Sequence, residues 1–259
     1  MPENMLSKID YCLHLADNAL ILCHKNAAWC GHAPSPELDI ALTNISLDLI
    51  GQARNFYQYA ATLINENNAK GDSVTDDHLA FLRDVNEFKN CLLTEIPNGD
   101  WGQTMLRQFL FSNYQYFLFQ QLINSKDEQI AAIAEKSIKE TTYHLRWSSE
   151  WVIRLGDGTP ESHSRMVHAV QELWPYTGEL FLPADYEMDC LKSGIGADLE
   201  LLKKDWWNKT HEIFSEATLS IPGKSFVQDG GKYGKHTENM IPLLTELQYM
   251  QRAYPGCEW

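Results

Sequence analysis

From Leu42 onward, apolar side chains recur every three or four residues: Leu42, Ile45, Leu49, Ala53, Phe56, Ala60 and Leu63. That spacing matches the turn of an α-helix and predicts one long helix with a single apolar stripe. Its start is marked in "GHAPSPELD", where Ser35 suits the N-cap, Pro36 the first helical position and Glu37 the positive end of the helix dipole. Upstream, "SKID" (Ser7–Asp10) has the form of a capping box and predicts a first helix running to about Cys30. Downstream, "NENNAKGDSVTDD" reads as a mobile polar connection, followed by a shorter helix over about His78–Thr94 that "IPNGDWG" ends. An apolar, aromatic helix is predicted from about Gln103 to Ile123, and another long one from about Glu128 to Leu155. Three more are expected near Glu161–Leu180, Asp198–Ala217 and Thr237–Ala253, with "LSIPGKSFVQDGGKYGK" as a glycine- and lysine-rich loop.

No strand pattern of useful length and no internal repeat interrupts this reading. Four long helices in two pairs predict an all-α protein, a four-helix bundle with additional C-terminal helices. The expected organisation is one domain over residues 1–259, with the core bundle at about 6–156 and the C-terminal helices at about 160–255.

Composition then narrows the function. The formal net charge is −14, which argues against nucleic acid or an anionic membrane surface as partner. No apolar run approaches the length of a membrane span. The six cysteines are scattered and form no CxxC, which fits reduced thiols and predicts a cytoplasmic protein. "WCGHAP" reads as packing at a helix end rather than as a Cys–His nucleophile, because no third orienting group lies nearby in sequence. "GGKYGKHTE" matches no phosphate loop and reads as a flexible connector or as a basic edge for a partner or an acidic ligand.

Large helical bundles can house a carboxylate-bridged di-metal site, built from a Glu on each of two helices and a Glu-x-x-His on each of the other two. None of the nine histidines has an acidic residue three positions before it, so that site cannot be assembled from this chain. Yet polar residues recur on the long helices: Asp17 on the first, Gly51 and Arg54 on the second, Asn113 on the third, and Glu140, Thr141 and His144 on the fourth. Taken singly, each reads as a satisfied polar group. Taken together they suggest a degenerate metal site, with Gly51 and Arg54 standing where Glu and His would bind. Gly51 costs about 1 kcal/mol against alanine in a helix interior. Arg54 could replace the lost metal charge by pairing with Asp17 or Glu140. The alternative is a metal-binding oxidase in its own right that uses Asp17, Glu140 and His144. A third reading is a binding module of the same fold with another role.

The stretches "WCGHAPSPELDIALTNISLDLIGQARNFYQYAA", "IKETTYHLRWSSEWVIRLGDGT", "EATLSIP" and "HTENMIPLLTELQYMQRAYPG" closely resemble the C subunit of bacterial phenylacetyl-CoA epoxidase. The resemblance spans nearly the whole chain and is weakest around Asn65–Asp77 and Asp185–Ala197. It implies a ferritin-like fold and a division of labour. A homologous A subunit holds the di-iron centre and binds the CoA thioester, while the C subunit lacks iron ligands and pairs with it. A reductase subunit supplies electrons from NADPH. The resemblance therefore implies a non-catalytic, structural subunit of a multicomponent oxygenase in phenylacetate catabolism. It implies no catalytic, cofactor-binding or metal-binding residue in this chain, and it places Gly51 and Arg54 where the active subunit has its Glu-x-x-His.

Overall fold

The computed structural model describes residues 3–67, 73–223 and 226–257. Positions 68–72 of the polar connection and 224–225 of the glycine- and lysine-rich loop lie outside the described residues. The long helices are α1 (Glu3–Ala27), α2 (Pro36–Asn67), α5 (Trp101–Leu122) and α6 (Glu128–Gly156). α1 packs along α2 and α5 along α6, with α2 also against α6. Between the two pairs run the short helices α3 (Asp76–Phe81) and α4 (Leu92–Glu95). The C-terminal region adds α7 (Pro160–Leu173), α8 (Asp185–Lys192), α9 (Leu199–Glu216) and α10 (Met240–Ala253). No strand occurs among the described residues, and the architecture is an all-α bundle of the ferritin-like kind.

The apolar stripe that predicted α2 is its buried face, from Leu42 to Leu63. Phe56 stacks on Phe119 of α5 with ring centroids 6.4 Å apart, joining the two helix pairs. α5 buries side chains all round because α6, α7 and α9 cover it as well, which explains why its apolar residues are spread round the helix rather than gathered in one stripe. The Trp29 side chain at the α1 end packs edge-on to Trp101 and donates to Thr104 Oγ1 at 2.8 Å.

Three expectations need correction. α1 begins before "SKID", so Ser7 is one turn inside the helix and its hydroxyl donates to Asp189 at 2.9 Å. The helix expected over His78–Thr94 is broken into α3, a 3-10 turn at Val85–Glu87, and α4. The physical reason is that this segment gives its backbone donors to α1. The Lys89 N–H goes to Asp17 at 2.7 Å and the Cys91 N–H to Asn18 at 2.8 Å, so neither is free for a helical ladder. The helix expected to reach Leu180 stops at Leu173, where Pro175 removes a donor and 3-10 turns follow. α8 is an addition to the expected set, in the stretch where the resemblance is weakest.

The "GGKYGKHTE" segment is neither a loose connector nor a basic edge, except at the exposed Lys235. Lys232 is buried and bonds Glu187 at 2.8 Å and the Leu182 carbonyl at 3.0 Å. Glu179 accepts from the backbone of Gly230 and of Leu92. Glu95 accepts from the Thr237 N–H at 2.6 Å and contacts His236 Nδ1 at 2.8 Å. Gly234 allows this fold-back, since its φ is +75° and a Cβ there would run into the Asn86 carbonyl.

Burial alone would push the His236 pKa down, but the hydrogen bond and charge of Glu95 outweigh burial and hold it above the ordinary value of 6.5. A group with a raised folded pKa stabilises the fold below its unfolded pKa and loses that contribution as pH rises through the folded one. Urea midpoints should therefore fall as pH rises from 6.5 through the raised value, and His236→Gln should flatten that part of the profile. An unchanged slope in the variant would show that the pair adds nothing to stability.

Candidate functional site

Inside the bundle, a lane of polar side chains runs between α2, α5 and α6. Gln52 on α2 is its centre. The Gln52 amide donates to Glu140 Oε2 on α6 at 2.9 Å and accepts from the Gln115 amide on α5 at 2.9 Å. One turn back on α2, Asp48 meets His144 Nε2 at 3.0 Å. Ser137, Thr141 and His144 line the same side of α6 at i, i+4 and i+7, all fully buried. The hydroxyls of Ser137 and Thr141, Nδ1 of His144 and Oε1 of Gln115 have no hydrogen-bond partner among the described residues. Beyond Gln115 on α5, Ser112 accepts from Gln108, and Gln108 accepts from Asn26 of α1 at 2.6 Å.

A di-metal centre would need four carboxylates and two imidazoles converging here. The lane offers Asp48, Glu140 and His144. Glu140 is engaged by the neutral amide of Gln52, while Asp48 and His144 engage each other. The uncommitted atoms are two hydroxyls, one ring nitrogen and one amide oxygen. Among the described residues, no group of three or more His, Cys, Asp or Glu side chains is arranged to hold a metal ion. The residues present do not fit a di-iron centre.

Of the polar set singled out in the sequence, only Glu140, Thr141 and His144 share this lane. Asp17 is fully buried, but elsewhere. Arg83 makes a two-pronged ion pair with it, the Tyr57 hydroxyl donates to it, and the Lys89 N–H closes the cage. The Arg83 guanidinium also lies over the Phe88 ring, 4.1 Å from its centroid. Burial alone would lower the Arg83 pKa, but Asp17 and Tyr57 hold it above its ordinary value. The expectation that Arg54 pairs with Asp17 or Glu140 is overturned: Arg83 neutralises Asp17, and Gln52 bonds Glu140. The reading of Asp17, Glu140 and His144 as one metal site is likewise overturned, because Asp17 is committed to Arg83 while the other two contact Gln52 and Asp48.

Arg54 has a side chain 72% exposed, and it reaches Asp76 at 3.6 Å. It lies on the outer face of α2 because 54 is far round the helix from the inward-facing 49, 52, 53 and 56. Gly51 shares that outer face, and a Cβ built there meets nothing within 4 Å. Asn113 points away from the lane and bonds α9, donating to the Trp206 carbonyl at 2.9 Å and to Thr210 at 3.0 Å. Four members of the lane, Asp48, Gln52, Gln115 and Ser137, were not singled out from the sequence. The available signal was Gln52 and Gln115 as uncharged polar residues in apolar surroundings. Asn113 and Gln115, two residues apart, face roughly opposite sides of a helix, and only packing decides which side is the interior.

The fold and this lane define a helical, ferritin-like protein whose bundle interior is laid out in amide and hydroxyl groups rather than metal ligands. The chain belongs to the phenylacetic acid catabolic protein family, whose model matches residues 1–259. It is 45% identical over 249 residues to the C subunit of 1,2-phenylacetyl-CoA epoxidase from Escherichia coli (strain K12), covering 96% of this chain and 98% of that protein.

Removing one partner of a buried ion pair strands the other charge and costs about 3–5 kcal/mol. Arg83→Ala should therefore lower stability by about that amount in urea unfolding, whereas Arg54→Ala should leave the midpoint near wild type. In a double-mutant cycle, Asp17→Asn should couple to Arg83→Ala and be additive with Arg54→Ala. Coupling to Arg54 instead would contradict the geometry.

Proposed function

We propose that this chain is a non-catalytic, structural subunit of a multicomponent phenylacetyl-CoA epoxidase acting in phenylacetate catabolism in the cytoplasm. In this reading a homologous A subunit holds the di-iron centre and the CoA thioester, this chain pairs with it and holds it in position, and a reductase subunit delivers electrons from NADPH. The observation that carries the reading is the Gln115–Gln52–Glu140 relay. Between α2, α5 and α6 the bridging groups are two amides and one carboxylate, whereas a di-metal centre in a bundle of this kind needs four carboxylates and two imidazoles. Likeness to an epoxidase component of Escherichia coli supplies the reaction and the substrate.

A rigid scaffold role also suits the way polar groups are treated. Gln52 ties α2 to both α5 and α6 through its one amide, and a hydrogen-bonded network of this kind fixes helix register. Such a subunit needs no open cavity at its centre. It needs a bundle that keeps its shape when a partner binds.

Reconstitution tests the reading. The A-type subunit and the reductase, mixed with phenylacetyl-CoA, NADPH and oxygen, should turn over only when this chain is present. Iron should follow the A-type subunit on separation. Glu140→Gln and His144→Ala in this chain should leave the iron content of the complex unchanged. Full activity without this chain would refute the role, and stoichiometric iron in this chain that Glu140→Gln removes would make it a metalloprotein in its own right.

A further inference from the structure

α2 carries a second stripe, on its outer face. Ile40, Asn44, Leu47, Gly51, Arg54 and Gln58 follow one another at spacings of four, three, four, three and four, the repeat of a helix–helix seam. Ile40 is 63% and Leu47 62% exposed, so no described part of this chain covers them. Beside the stripe, a notch of about 290 Å³ opens between α2 and α3, with Ile50 and Arg54 on one wall, Asp76 and Phe81 on the other, and Tyr57 at its base.

Gly51 sits at the middle of this stripe. Its φ is not in the left-handed region, so the backbone does not require glycine. A Cβ added there would meet no atom of another described element within 4 Å, so internal packing does not require it either. Within the free chain the residue only weakens its helix. A glycine on a helix seam does have one physical use, which is to let a second helix cross with its axis closer than larger side chains permit.

We infer that the outer face of α2 is the surface that receives a helix of the partner subunit, the two backbones crossing closest at Gly51. The inference rests on the subunit reading above. The chemistry of the partner helix follows from what flanks the crossing. Leu47 and Ile40 call for large apolar side chains on one side of the crossing point. Arg54, three residues beyond it, touches Asp76 through Nε and keeps exposed donors for a carboxylate. Asp48, three residues before it, meets His144 through Oδ2 while 36% exposed and so can also receive a cation. A bulky side chain of the partner fits the notch beside Ile50. Charge disfavours a second copy as the occupant, because two chains of net charge −14 repel one another. The line from Ile40 to Gln58 is about 27 Å long at 1.5 Å per residue, enough for several helical turns of contact.

The test measures the dissociation constant of this chain from the A-type subunit, with both purified. Gly51→Trp and Leu47→Arg are each expected to weaken the complex at least tenfold while leaving the circular dichroism of the free chain unchanged. Gly51→Ala should raise the melting temperature of the free chain and yet weaken the complex severalfold, a split that a purely internal role for Gly51 would not produce. Ile241→Arg, on the exposed side of α10, should bind as wild type does. Wild-type affinity in both Gly51→Trp and Leu47→Arg would overturn the docking face and leave the subunit reading standing. A wild-type chain that forms no complex at all would overturn both. A dimer of this chain alone that Gly51→Trp dissociates, with the heteromeric complex unaffected, would assign the face to a second copy and overturn the proposal.

Discussion

A carboxylate with no access to water, in the middle of the first helix, sets terms that much of the chain has to meet. An unpaired charge at Asp17 would cost several kcal/mol in such surroundings, and the structure answers it with a cation, a hydroxyl and a backbone amide. Supplying them bends the chain. Arg83 must turn inward and Lys89 must present its N–H, so the segment after α3 abandons the helix and crosses α1 in extended steps. The consequences reach the C-terminal helix. The Arg83 carbonyl, left over from that crossing, accepts from Gln248 and Arg252 of α10. One buried pair thus explains why the two helix pairs are joined by broken structure and where α10 is anchored.

The bundle interior obeys a different rule. Between α2, α5 and α6 the polar groups are mostly neutral, and they are joined by amides that donate on one side and accept on the other. Glutamine suits this because each amide offers both functions, and two glutamines join α5 to α2 and end on a single carboxylate, Glu140 of α6. Asp48 and His144 bond each other at the edge of this lane, where Asp48 is partly in water. Such an interior rewards a fixed helix register, and among the described residues it holds no group of three or more side chains placed to ligate a metal.

α2 belongs to both worlds. Its inner face carries the apolar stripe and Gln52, and its outer face carries Leu47, Gly51 and Arg54. Asp48 lies between them, bonded to His144 within and reaching the outer face without. A helix bound on the outside would therefore press on the residue that closes the lane, so the polar interior and the surface are linked through one side chain rather than through a long path.

The long helices were legible in the sequence because their cause is local. Leu42 to Leu63 repeat with the helical turn, and Ser35–Pro36 mark a start that α2 uses. The missing Glu-x-x-His was legible for the same reason, since the motif is a matter of spacing within one helix. The need for an arginine near Asp17 was also readable, because a buried carboxylate demands one wherever it lies. Which arginine answers was not. Arg54 is nearer in sequence and sits on a good helix, but it faces out, whereas Arg83 comes from a segment whose shape exists only because Asp17 draws it in. Periodicity places a residue on a face of its own helix. Which face turns to the core, and which distant side chain meets it there, depends on how the helices pack.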